Sequence, residues 1–136
     1  MLNHIHHINF LVKDLNLAVE RYQEILGLQE FRFDELAGRA VRTARIKLGD
    51  CWLVLVEPQD QTSVPARHLA EHGEGFFLIS FGTDDLLTAL DRIAQNGGQL
   101  DSGGVRTGLD NWQVADLQMA QFFGAQIQLT QDDGEN

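Results

Sequence analysis

The chain has 136 residues and 15.2 kDa, the size of one ordinary domain, and 43% of its residues are hydrophobic, enough for a packed core. Acidic residues outnumber basic ones 20 to 10, for a formal charge of −10. That balance repels nucleic-acid backbones and anionic membrane surfaces, so neither is an expected partner. No apolar run approaches the roughly 20 residues of a spanning helix, and the opening MLNHIHHINFLVKDL lacks a secretory leader's features. Cys51 is the only cysteine, which rules out an internal disulfide and a cysteine-based zinc cluster. The expected compartment is the cytoplasm.

Taken in chain order, the stretch that opens at His7 and precedes Asp14 alternates apolar and polar residues and predicts a strand. Asp14 stands at a helix N-cap, and Leu15, Ala18, Val19, Tyr22, Ile25 and Leu26 form one apolar stripe that ends at Gly27. Strands are predicted at about 28–34, 40–48 and 51–57, the last two joined by the Gly49–Asp50 turn. The segment 59–75 is read as a connector with a short helix from Val64 to His72, Pro65 in its first turn. The pattern then recurs. At a constant offset of 71 residues, Ile8, Phe10, Asp14, Leu15, Ala18, Arg21 and Gly27 meet Ile79, Phe81, Asp85, Leu86, Ala89, Arg92 and Gly98. Further strands are predicted at about 99–101, 112–118 and 125–130. Each half therefore reads β-α-β-β-β. The expected organisation is a single domain over 1–136, with module one at about 4–58, the connector at 59–75 and module two at about 76–131. Neither half buries much core alone, so two curved sheets packed around a cleft are expected.

The segments HHINFLVKDLNLAVERYQEILGL, IKLGDCWLVLVEP, VPARHLAEHGEGFFLISFGTDD and AQIQLTQ, in this order and spacing, resemble the glyoxalase/bleomycin-resistance/dioxygenase (vicinal oxygen chelate) superfamily. Within it they look most like the methylmalonyl-CoA epimerase branch. The resemblance implies an α+β fold of two tandem βαβββ modules whose curved sheets enclose a cleft, and a homodimer. It also implies four metal-ligand positions, two per module. Carried onto this chain they are His7, Val54, Leu78 and Gln128, of which only His7 and Gln128 bear a donor. No metal or other cofactor is therefore expected. The epimerases' carboxylate bases match Thr43, or a neighbour, and Gln128, and neither is a general base at neutral pH.

Strand alternation extends the candidate ligand-binding set from those positions to His7, Asn9, Thr43, Arg45, Trp52, Ser80, Trp112, Asp116 and Gln128. Arg45 and Asp116 are either ligand contacts or a structural ion pair, and His7 is either a binding residue or a hydrogen-bonded relic. His4 and His6 are expected on the opposite face from His7. His68 and His72, spaced i, i+4, suit zinc but lack a third donor, so a solvated helix face is preferred. Cys51 is read as a structural thiol, and the tail QDDGEN as frayed and solubilising.

Three readings follow. The chain binds a small anionic or partly aromatic molecule in the cleft without a metal, like the superfamily's antibiotic-sequestering proteins. Alternatively it is a metal-dependent lyase or epimerase, of the methylmalonyl-CoA epimerase or lactoylglutathione lyase kind. In the third, it has lost its ligand and serves as a partner subunit.

Overall fold

The computed structural model describes residues 1–134; Glu135 and Asn136, the end of the tail expected to fray, lie outside the described residues. In chain order the elements are β1 (Leu2–Leu11), α1 (Leu15–Leu26), β2 (Arg32–Leu36), β3 (Val41–Leu48), β4 (Cys51–Pro58) and α2 (Val64–His72). They continue with β5 (Gly75–Thr83), α3 (Leu86–Gln95), β6 (Arg106–Thr107), β7 (Gln113–Asp116) and β8 (Ile127–Gln131).

The chain divides into two compact units. One is Ile8–Phe77; the other joins Met1–His7 to the chain from Leu78 onward. Within Ile8–Phe77 the strand order is β2-β3-β4-β1, with β2, β3 and β4 antiparallel in turn. Its core is Val12, Leu15, Val19, Ala44 and Leu55, where the stripe of α1 meets one face of β3 and β4. In the other unit the order is β1-β5-β8-β7-β6, with β5 and β8 parallel and β8, β7 and β6 antiparallel. There Leu86 and Leu90 of α3 cover Ala115 and Leu129.

The repeated sequence produces repeated capping. Asp14 accepts a hydrogen bond from the Leu17 amide, and Asp85 from the Thr88 amide. That bond from Thr88 is the main reason the Asp85 carboxyl is held below the ordinary carboxylate range. Each helix start gains a second acceptor from the closing strand of its unit. Leu15 N donates to Glu57 Oε2 and Leu86 N to Gln131 Oε1, both at 2.8 Å. These bonds satisfy amides that a helix leaves open at its start. Asp14→Ala is expected to cost about 1 kcal/mol of stability, read as a lower urea midpoint at unchanged slope.

Two predicted strands are corrected. Leu28–Phe31 is no strand: Gly27 turns the chain at φ 72°, and Phe31 folds edge-on against Tyr22 of α1, ring centroids 6.4 Å apart. Packing of Phe31 on the helix keeps this segment out of the sheet, and pairing starts only where Arg32 meets Arg45. Residues 99–101 make one isolated bridge, Leu100 to Leu117, because the chain turns at once through Asp101 to Gly104. The strand that pairs with β7 is Arg106–Thr107.

Candidate functional site

In the unit Ile8–Phe77, register decides which side chains share a face. Thr43 lies opposite Val56, Arg45 opposite Val54 and Lys47 opposite Trp52, with Asp34 of β2 beside Thr43. Alternate residues of each strand point the same way, away from the core under α1. Arg45 is fully buried. Its guanidinium carbon sits 4.7 Å from the Trp52 ring centroid, and Nη1 lies 3.9 Å from Asp34 Oδ2. Lys47 Nζ reaches within 5.6 Å of the same indole. Thr43 Oγ1 donates to the Asp34 carbonyl at 3.4 Å. Asn9 Oδ1 is buried with no hydrogen-bond partner among the described residues. Beside Trp52 opens a groove of about 530 Å³, lined by Leu28, Gln29, Arg32, Ile46 and Lys47 among others. Sequence reasoning missed the groove because it took 28–34 for a strand. Lys47 was within reach, one step of alternation past Arg45.

In the other unit, β7 and β8 bring Asp116 opposite Gln128, and β5 and β8 bring Ser80 opposite Gln128. Ser80, Thr130 and Gln128 are buried. The Ser80 and Thr130 hydroxyls share a hydrogen bond, and Thr130 Oγ1 donates to Gln128 Oε1 at 3.5 Å. Gln128 Nε2 donates to Asp116 Oδ1 at 3.2 Å, and Arg106 Nη1 donates to Asp116 Oδ2 at 2.6 Å. Asp116 is thus held by Arg106 and Gln128, and Arg45 lies beside Asp34 and Trp52. Leu78 is an apolar buried neighbour on β5.

Alternation also predicted the wrong surroundings for His6. His6 and His7 are both buried and both meet Trp112, itself 3% exposed. His7 stacks on the indole, centroids 5.2 Å apart at 22°, and His6 meets it edge-on at 4.4 Å and 84°. A large aromatic surface offers two directions of contact, and that outweighs the strict alternation of the strand here. Only His4 stays exposed, next to Gly82.

The remaining candidates are less engaged. The half-buried Cys51 thiol contacts the Trp52 carbonyl at 3.6 Å, and burial pushes its pKa up, away from a reactive thiolate. His68 and His72 stack 4.5 Å apart on α2, and His68 also rests on Phe77. Burial first, then the neighbouring His72, holds the His68 imidazole below its ordinary value. The unfolded chain takes this proton near pH 6.5 and the folded chain only at lower pH. Stability therefore falls as pH drops through that window, because the unfolded state binds more protons. His68→Gln is expected to reduce the drop in melting temperature between about pH 8 and pH 5.

Comparison with known proteins supplies the family. The profile described as Glyoxalase/Bleomycin resistance protein/Dioxygenase superfamily matches residues 6–115. The ethylmalonyl-CoA/methylmalonyl-CoA epimerase of Cereibacter sphaeroides is 26% identical over 133 residues, covering 96% of this chain and 99% of that one. The methylmalonyl-CoA epimerase of Streptomyces coelicolor, solved with 2-nitronate-propionyl-CoA, superposes with a TM-score of 0.92 at 27% identity, over 98% of this chain and 97% of that one. The methylmalonyl-CoA epimerase of Mycobacterium tuberculosis shares the fold at 23% identity, with a TM-score of 0.89 over 96% and 88% of the two chains. With most of its length matched by the family profile and its α+β fold shared with these structures, the chain belongs to the glyoxalase/bleomycin-resistance/dioxygenase superfamily.

Proposed function

We propose that this chain binds a small anionic molecule that carries an aromatic portion, and does so without the divalent ion of its superfamily. The observation that carries this reading is the donor set. Val54 and Leu78, at two of the four positions implied for metal ligands, are aliphatic and 1% and 6% exposed. Gln128 supplies only a neutral amide, already bonded to Asp116 and Thr130. One imidazole and one amide leave the ion's charge unbalanced, so these positions do not fit a divalent cation. Among the described residues no group of three or more His, Cys, Asp or Glu is placed to hold a metal ion.

The ligand class is supported by Arg32, Lys47 and Trp52, which line the groove together with Glu30, and by Arg45 on the same sheet face, 4.7 Å from the Trp52 ring. Cations over an indole suit an anion with a flat ring system. Acyl-CoA thioesters have both features, and a relative was solved with such a compound. The test is a fluorescence titration of the two tryptophans with methylmalonyl-CoA, propionyl-CoA and free CoA, with and without EDTA. Saturable quenching that EDTA leaves unchanged is the expected result. Quenching that needs added cobalt overturns the metal-free reading. A homodimer belongs to the proposal and is checked by light scattering on the eluting protein.

A second reading, an epimerase or lyase, is favoured by the likeness to acyl-CoA epimerases along nearly the whole chain. Against it, Thr43 and Gln128 stand where a carboxylate base is implied. Deuterium uptake into methylmalonyl-CoA in heavy water, with cobalt added, tests it. No uptake above the uncatalysed rate retires the reading for that substrate.

A further inference from the structure

The groove beside Trp52 is bordered by main chain that the side-chain contacts above leave unused. Pairing of β2 with β3 ends where Arg32 meets Arg45, so β3 runs on through Ile46, Lys47 and Leu48 with no strand on that side. The segment that would have continued β2 is held by α1 instead. Gln23 Nε2 donates to the Gln29 carbonyl at 3.0 Å, Gln29 Nε2 donates to the Gln23 carbonyl at 3.2 Å, and Phe31 packs on Tyr22. The groove of about 530 Å³ is lined both by this segment, through Gln29 and Glu30, and by β3, through Ile46 and Lys47. It is the gap that a longer β2 would have filled.

Strand phase decides which main-chain groups face that gap. In an antiparallel pair, opposite residues either bond to each other or both turn outward. The Val56 carbonyl accepts from the Val12 amide at 2.9 Å, so Val56 turns away from β3, and Thr43 opposite it turns toward β2. Counting by twos, Arg45 and Lys47 turn the same way. Arg45 meets Arg32 there, whereas the N–H and C=O of Lys47 meet no strand. No turn or loop of the described residues bonds to them either. One donor and one acceptor thus stand together on an open strand edge, beside Trp52 and the Lys47 and Arg32 cations.

We propose that the edge of β3 at Lys47 binds the pantetheine arm of a CoA thioester as a short added strand. This placement rests on the CoA-type ligand of the proposed function and assigns one part of that ligand to one part of the groove. The arm's β-alanyl unit carries an N–H and a C=O in series, as an amino-acid residue does. The Lys47 N–H donates to the carbonyl of that unit, and the unit's own N–H donates to the Lys47 carbonyl. The aliphatic links on either side lie against Leu28 and Ile46, and the phosphates lie toward the Lys47 and Arg32 side chains. Glu30, also at the groove, favours a neutral arm over a chain that is anionic along its length. A peptide adds to a sheet edge over several residues, whereas β3 offers a single residue with both groups turned outward, which suits an isolated amide-bearing unit.

Amide hydrogen exchange at Lys47 reads the contact directly. Lys13 and Lys47 are the only lysines, so the full chain labelled with nitrogen-15 lysine gives two amide signals, and Lys13→Arg tells them apart. In the free protein the Lys47 amide is expected to exchange fast. Saturating CoA and phosphopantetheine are each expected to slow it by about tenfold or more, and ADP, which has the ring and phosphates without the arm, to leave it unchanged. Lys47→Pro removes the N–H at an edge position where a sheet tolerates proline, and Lys47→Met removes the ammonium alone. Lys47→Pro is expected to bind CoA about 3–10-fold more weakly than Lys47→Met does. Unchanged exchange under saturating CoA, or equal slowing by ADP, overturns the proposal. Slowing by acetyl-Ala-Asp at lower concentration than by phosphopantetheine overturns it in favour of a peptide. If Lys47→Pro fails to fold, the exchange in the wild-type chain still decides. Saturable tryptophan quenching by CoA with Lys47 exchange unchanged sinks this placement and leaves the ligand reading standing. Slowed exchange alongside quenching that needs cobalt retires the metal-free reading and leaves the strand-edge contact in place.

Discussion

Arg45→Met is expected to remove the binding of an anionic ligand and to cost about 3 kcal/mol of stability. Arg45 is fully buried, and burying a guanidinium costs several kcal/mol that its partners must offset. Its ion pair with Asp34 spans 3.9 Å, beyond hydrogen-bond reach. Methionine keeps much of the volume and still packs on the Trp52 indole. The carboxylate left behind keeps only Arg32, 3.6 Å away, and its Oδ2 is buried with no hydrogen-bond partner among the described residues. Replacing a whole buried ion pair by hydrophobes is typically neutral or stabilising, whereas removing one partner costs about 3–5 kcal/mol. Urea unfolding measures the stability, and tryptophan quenching by an acyl-CoA measures the binding. A loss below about 1 kcal/mol would mean that Arg32 alone compensates Asp34, and unchanged quenching would remove Arg45 from the binding site.

Leu129→Ala and Leu55→Ala are expected to destabilise by about 2–5 kcal/mol each, a large share of the total for a domain of this size. Both side chains are fully buried. Leu129 sits on β8 between β5 and β7, beneath Leu86 and Leu90 of α3. Leu55 sits on β4 under Leu15 and Val19 of α1. Each truncation removes apolar burial and leaves a cavity that strands fixed on both sides cannot close. Calorimetry should show both as a lower melting temperature. A cost below about 1 kcal/mol at either site would mean that its layer collapses to fill the gap.

The helices and their caps were legible because their causes are local. Asp14 and Asp85, the apolar stripes behind them and Pro65 in the first turn of α2 all lie within a few residues of what they determine. The repeat was legible for the same reason, and the structure extends it to Glu57 and Gln131 as second acceptors at the two helix starts. What escaped depends on register and on packing between distant segments. Arg106 reaches Asp116 because Arg106 pairs with Val114, two residues away on the same face of β7. No local pattern in GGVRTGLD announces that pairing. Leu28–Phe31 follows the Gly27 turn as the expected strand would, yet α1 claims its aromatic ring. At His6, alternation is a sound rule for a bare strand and fails beside Trp112, whose indole draws in two adjacent imidazoles.

The unit that holds His6, His7 and Trp112 is discontinuous: Met1–His7 belongs with residues from Leu78 onward, and all of Ile8–Phe77 lies between. During synthesis Ile8–Phe77 is complete before the first residue of β7 exists. Met1–His7 must meanwhile wait, and its closure onto the later strands carries the entropy of a long loop. The bond from His6 to Asp132 joins residues 126 apart in sequence. The two imidazoles are therefore made before Ile8–Phe77 and reach their native surroundings only after the strands beyond it exist. A chain truncated before Asp132 would retain both histidines and lose the carboxylate that bonds to His6. The contact between His6 and Asp132 thus becomes a mark of completed folding, made only once the strands that follow Phe77 have joined the segment that precedes Ile8.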